Sequence, residues 1–120
     1  MAKLNCKVPA GVNDAVRIAK IRRDDNKGRV LEHFVDLALS SSTHVVRNFA
    51  GPDQFNCTLT LSEKKYAEAK EYRIKHSLDN KGAFFYDALL RGASVYLDKH
   101  HPLEADVGTQ LPVESPPSAE

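Results

Sequence analysis

Two short stretches of strict alternation constrain this chain more than anything else in it. "KLNCKV" at residues 3–8 sets Lys3, Asn5 and Lys7 against Leu4, Cys6 and Val8. "QFNCTLTL" at 54–61 sets Gln54, Asn56, Thr58 and Thr60 against Phe55, Cys57, Leu59 and Leu61. Period two is the pattern of a half-buried strand. A strand this short has no stability alone, and a two-stranded ribbon persists only when one face packs on something apolar. The economical arrangement is for the two strands to pair with each other as one antiparallel ribbon. Leu4, Cys6, Val8, Phe55, Cys57 and Leu59 then face inward, and the polar set faces out.

Each strand is followed by helical spacing. Pro9 stops the first ladder and suits a helix threshold. Val12, Ala15, Val16 and Ala19 then form one apolar stripe, predicting a helix to about Arg22. "RRDDNKG" reads as a turn, with Asp25 or Asn26 as the cap of a second helix whose stripe is Leu31, Phe34, Val35 and Ala38 and whose end falls near 40–42. The order then repeats: Ser62 caps a helix over "SEKKYAEAKEYRIKHSL", with an irregular stripe through Tyr66, Ala69, Ile74 and Leu78. "DNKG" recurs at 79–82, and Phe85, Ala88, Leu89, Ala93 and Tyr96 line a last helix.

The chain therefore contains two strand-helix-turn-helix units. Cys6 and Cys57 are 57 − 6 = 51 residues apart and Gly28 and Gly82 are 82 − 28 = 54 apart, so the second unit has 54 − 51 = 3 extra residues, expected in or around its first helix. The expected organisation is a first unit over 1–42, a linker over 43–53 closed by Gly51-Pro52, a second unit over 54–100 and an acidic tail over 101–120. With four prolines and little periodicity, that tail reads as disordered. Units of about 45 residues rarely bury enough surface to fold separately, so the two are expected to share one core. The fold class expected is α+β, mostly α, with one ribbon and four helices.

Net charge is +1, but Asp98, Glu104, Asp106, Glu114 and Glu120 against Lys99 give residues 98–120 a charge of −4, which leaves 1 − (−4) = +5 on residues 1–97. A basic body suits a polyanionic partner. No apolar run approaches the roughly 20 residues of a membrane span, and "MAKLNCKVPAG" lacks a secretory apolar core, so a cytoplasmic protein with reduced thiols is expected. Two cysteines alone lack metal-ligand spacing, and Cys6 and Cys57 are read as small core residues under the ribbon; no metal or cofactor is expected. Asn56-Cys57-Thr58 matches a glycosylation sequon by chance on a cytoplasmic strand. There is no Gly-rich phosphate loop, nucleophile elbow or distinctive acidic pair, so an enzyme is not expected.

An outward ribbon face without acidic residues is suited to base edges, because a two-stranded ribbon fits the B-DNA major groove, where Asn and Gln bond adenine and Lys bonds guanine. In this order of elements each unit resembles a ribbon-helix-helix module of the Arc-MetJ-CopG superfamily. Over residues 3–97 the whole chain resembles the tandem, single-chain form found in TraY-type accessory proteins of plasmid conjugation. The resemblance implies an intramolecular pseudo-dimer that is monomeric in solution and open to cooperative binding on double-stranded DNA. It implies base readout by Lys3, Asn5, Lys7, Gln54, Asn56 and Thr58. It also implies phosphate contacts by Asn26, Lys27 and Gly28 and by Asn80, Lys81 and Gly82, positions where helix starts offer free amides and a positive dipole end. Here Gly28 and Gly82 follow the Asn, whereas the family often places Gly before a Ser or Thr cap. The implied role is a transcriptional regulator or a plasmid-transfer accessory factor, and the unequal strands imply a non-palindromic site. A reading from another class is an antitoxin-like interaction module whose tail, "HPLEADVGTQLPVESPPSAE", engages a basic protein partner.

Overall fold

In the computed structural model, which describes residues 2–99, the two alternating stretches do pair with each other. Strand β1 (Ala2–Val8) is followed by α1 (Ala10–Arg23) and α2 (Lys27–Ser40), and β2 (Phe55–Leu61) by α3 (Glu63–Glu68), α4 (Lys70–Lys75) and α5 (Lys81–Lys99). The chain is α+β and mostly helical. Its sheet, among the described residues, is the two-stranded antiparallel ribbon β1–β2. The register sets Lys3 opposite Thr60, Leu4 opposite Leu59, Asn5 opposite Thr58, Cys6 opposite Cys57 and Lys7 opposite Asn56. The expected tail over 101–120 lies outside the described residues.

Burial follows the alternation. Ala2, Leu4, Val8, Cys57, Leu59 and Leu61 are buried, with Cys6 and Phe55 packed at the margin of the same core. The α1 stripe of Val12, Ala15, Val16 and Ala19 is buried as spaced, and so is the α2 stripe, extended by Val30. Helix α5 buries Phe84, Phe85, Ala88, Leu89, Gly92, Ala93 and Tyr96, so its apolar arc is wider than the predicted stripe.

The caps explain where the helices begin. Asn26, rather than Asp25, accepts the Arg29 N–H at 2.9 Å, and Ser62 accepts the Lys65 N–H at 3.1 Å. Asp24, in the left-handed region at φ 56, ends α1.

Two expectations change. The second unit's first helix is split at Ala69: α3 ends in a tight turn in which the Ala69 N–H bonds Tyr66 O, and α4 restarts with the Arg73 N–H on Ala69 O. Its stripe is also different, for Ala69 and Tyr72 are buried while Ile74 is 72% exposed. The three extra residues, expected in or around this helix, fall on either side of it. Strands start at 2 and 55 and the following helices at 10 and 63, an offset of 53 in both cases, while the last helices start at 27 and 81, an offset of 54. Two residues are thus gained ahead of the helix (53 − 51) and one after it (54 − 53). The shared Asn-Cys dipeptides, at offset 51, are slipped by two residues from structural equivalence.

Helices α2 and α5 cross at the centre of the core, and a glycine makes the crossing possible. A Cβ at Gly92 would lie 2.0 Å from the Phe34 carbonyl oxygen, so α5 rests directly on the α2 backbone. Phe34 and Tyr96 pack beside this point with ring centroids 5.5 Å apart and planes tilted by 42°. The connection between the units is tied down along its length. Buried Arg91 of α5 donates to the His44 carbonyl and to the Tyr72 hydroxyl, the latter at 2.8 Å, and so joins connection, α4 and α5. The Arg47 N–H donates to Ser94 Oγ at 2.8 Å, and Asp98 receives Arg47 and His44. Phe49 packs on Gly11, and Tyr86 donates to Asp53 at 2.9 Å.

Gly92→Ala should cost more than about 3 kcal/mol in denaturant unfolding, since backbone rather than a flexible side chain fills the space. Gly28→Ala, whose Cβ would meet nothing nearer than Asn26 Oδ1 at 3.5 Å, should be neutral or stabilise by up to about 1 kcal/mol. The hydrogen bonds from Arg47 and His44 hold the Asp98 carboxyl below its ordinary range. A depressed folded pKa means that the contribution is complete above the unfolded value near about 3.9 and is lost as pH falls through the folded one. Asp98→Asn should therefore lower the thermal midpoint at pH 7, by an amount corresponding to at most about 1 kcal/mol for so exposed a group, and the difference from wild type should vanish at the acid end of the titration.

Candidate functional site

The solvent side of the ribbon is the surface that the fold leaves polar and uncovered. Six exposed side chains stand on it in three cross-strand rows: Lys3 with Thr60, Asn5 with Thr58, and Lys7 with Asn56. Same-face residues are about 6.8 Å apart along a strand and strands about 4.8 Å apart, so the six make a narrow raised strip. Two are cationic and none is acidic.

Asn5 and Thr58 occupy the centre. They are register partners, and they are also equivalent under the structural offset (5 + 53 = 58), so the middle of the ribbon is also the middle of the repeat. Thr58 Oγ1 donates to Asn5 Oδ1 at 3.3 Å, a bond that uses the Asn5 amide oxygen and not its two N–H donors.

The starts of α2 and α5 stand against the ribbon, each beside the other unit's strand. Lys27 Nζ at the start of α2 donates to the Asn56 carbonyl of β2 at 2.8 Å. At the start of α5, a Cβ on Gly82 would lie 3.5 Å from the Asn5 carbonyl of β1. Both helices are capped by asparagine, Asn26 bonding the Arg29 N–H and Asn80 bonding the Ala83 N–H at 2.7 Å. The Gly-after-Asn order thus makes Asn the cap and puts Gly at the second helical position. The first amides of a helix have no carbonyl partner within it, and those of Lys27 and Gly28 and of Lys81 and Gly82 are in that position.

Of the residues singled out for base readout, Lys3, Asn5, Lys7, Asn56 and Thr58 stand together on this strip. Gln54 does not. It is exposed but precedes β2, and its N–H caps the ribbon end on Val8 O at 3.1 Å. Thr60 takes the sixth place. Alignment on the two cysteines pointed to 54, 56 and 58, whereas alignment on the helix thresholds Pro9 and Ser62, which are 53 apart, points to 56, 58 and 60. Of the helix-start residues, Lys27 has its ammonium engaged on the ribbon backbone rather than extended away from it.

Cys6 and Cys57 face each other beneath the strip as free thiols. Burial raises both pKa values, Cys6 to about 12 with the neighbouring Cys57 and Asp53 adding to the shift, while Lys27 partly offsets the rise at Cys57. These are packing groups with little thiolate at neutral pH. The described residues contain no cluster of His, Cys, Asp or Glu that could hold a metal ion, and no helix among them is long and apolar enough to cross a membrane.

A scan against protein-family models found no match, and neither did searches of curated proteins and of solved structures.

In the folded protein Cys6 should react with iodoacetamide at pH 7 at least about tenfold more slowly than in denaturant, where its pKa returns to the ordinary thiol value, the loss of thiolate outweighing the greater nucleophilicity of a high-pKa thiolate. Mass-spectrometric time courses with and without denaturant measure the ratio.

Proposed function

We propose that this chain is a sequence-specific double-stranded DNA-binding protein of the ribbon-helix-helix kind, folded as an intramolecular pseudo-dimer. The observation that carries the reading is the uncovered ribbon strip of Lys3, Asn5, Lys7, Asn56, Thr58 and Thr60, without a carboxylate and flanked by two asparagine-capped helix starts. A strip of this width enters the roughly 12 Å major groove, where the Asn amides match adenine and the Lys ammoniums match guanine acceptors. The amides at 27–28 and 81–82 are suited to the phosphates along the groove walls, fixing register without reading sequence. The biological role is regulation of transcription or marking of a plasmid transfer origin.

Under the structural offset Lys3 corresponds to Asn56, Asn5 to Thr58 and Lys7 to Thr60, and every one of the three pairs differs in chemistry. A homodimer presents one half-ribbon twice; this chain presents two. Its target is therefore non-palindromic.

Selection of duplexes from a random pool should yield an asymmetric motif. On that motif Asn5→Ala and Asn56→Ala should each weaken binding by about 1–3 kcal/mol with the fold intact, while binding to random DNA changes little. Thr60→Ala should weaken binding and Gln54→Ala should not. Affinity should fall with ionic strength with a log–log slope of about −0.9 per phosphate contacted. Failure to enrich any motif, or equal losses on target and random duplexes, would reject base readout.

A further inference from the structure

Three large apolar side chains are well exposed among the described residues: Ile21 at 77%, Val45 at 80% and Ile74 at 72%. Two of them are the same position. Ile21 on α1 and Ile74 on α4 are related by the structural offset (21 + 53 = 74), and over residues 10–25 this is the one place where the two units carry an identical residue. The surroundings match as well. Arg17, Lys20 and Arg22 around Ile21 correspond to Lys70, Arg73 and Lys75 around Ile74, basic for basic at each place (17 + 53 = 70, 20 + 53 = 73, 22 + 53 = 75). Neighbouring positions have diverged in size and charge, from Ile18 to Glu71 and from Ala19 to Tyr72. Beside Ile74 an open hollow of about 430 Å³ is lined by Lys70, Arg73, Ser77, Leu78 and Asp79.

The Arg73 guanidinium is committed to the Leu78 and Asp79 carbonyls and the Tyr66 hydroxyl, and Arg17 is paired with Asp14, so the exposed cations beside the isoleucines are Lys20 and Arg22 in one unit and Lys70 and Lys75, with Glu71 nearby, in the other. An exposed isoleucine beside two cations suits a ligand with an apolar residue next to carboxylates. Two such patches repel one another, so a second copy's patch is the wrong partner for either. The chain itself carries the complement. Residues 100–120 contain no Lys or Arg, and "LEADV" at 103–107 and "LPVE" at 111–114 set Leu103, Val107, Leu111 and Val113 beside Glu104, Asp106 and Glu114. Fifteen residues carry the chain from Lys99 to Glu114 (114 − 99), a contour of about 50 Å. The longest dimension of the folded body is 46 Å, so either patch is within reach.

We infer that the acidic C-terminal segment 103–114 docks intramolecularly on the twin Ile–basic patches of α1 and α4, apolar side chains against Ile21 or Ile74 and carboxylates against the neighbouring cations.

The test is paramagnetic NMR on the full chain with a nitroxide at Ala105→Cys, the same reagent on the unsubstituted chain reporting any reaction of Cys6. Backbone amides of residues 20–22, 73–75 or both should lose intensity selectively. The loss should disappear at about 1 M salt, where the screening length is about 3 Å. It should also disappear in Glu104→Gln/Asp106→Asn and in Ile21→Ser/Ile74→Ser, the latter at exposed positions that the core does not need. Uniform intensities would overturn the inference, as would broadening centred on Lys3 and Lys7 or broadening that survives the Ser variants. Broadening seen only when a labelled copy is mixed with an isotope-enriched, unlabelled one would overturn the intramolecular contact.

Discussion

One backbone pairing holds the architecture together. β1 and β2 are each seven residues long and stand at opposite ends of the folded chain's first sixty residues. Neither has another strand to pair with among the described residues, and neither would persist alone. Once they pair, their apolar sides form a single small roof, and the helices of both units must bury their stripes beneath it. The two units thus share a core because each supplies half of a ribbon. The cost of closing the long loop between the strands rises only slowly with its length, and here the loop is filled by α1, α2 and a connection tied to α5 through Arg91, Arg47 and Asp98.

The pairing also places the helix starts. Because the strands run antiparallel, the chain leaves the ribbon in opposite directions, and each unit's last helix returns beneath the other unit's strand. Lys27 of the first unit accordingly meets Asn56, and Gly82 of the second approaches Asn5. The α2–α5 crossing then sets how deep those helices lie. With Gly92 against the Phe34 carbonyl the axes approach closely, which brings both asparagine-capped ends up to the ribbon's flanks. A core contact far from the solvent strip is what frames it.

Much of this was legible in the linear pattern. Alternation at 3–8 and 54–61 identified both strands and their buried faces, and the helical stripes of α1, α2 and α5 proved to be core. Two features were not legible. The sequence offers two competing alignments of its repeat, at 51 and at 53 to 54; the Asn-Cys match follows the first and the element boundaries follow the second, so Gln54 lies just before β2 and Thr60 within it. Dipeptide identity carries no information about where a ladder ends, whereas a helix threshold does, because Pro9 and Ser62 each terminate strand geometry. The stripe of the second unit's first helix was misread at Ile74, which lies five residues and so about 140° around a helix from buried Ala69; Ile21 is exposed in the same way on the unbroken α1.

Local chemistry determined the element types, the asparagine and serine caps, the polarity of each ribbon face and the split of charge along the chain, since each follows from a residue and its near neighbours. Tertiary structure decided the cross-strand register, the exchange of helix starts between strands, the depth of the α2–α5 crossing and which isoleucines stay exposed. Those depend on atoms brought together from residues about fifty positions apart, and no interaction within either unit could specify them.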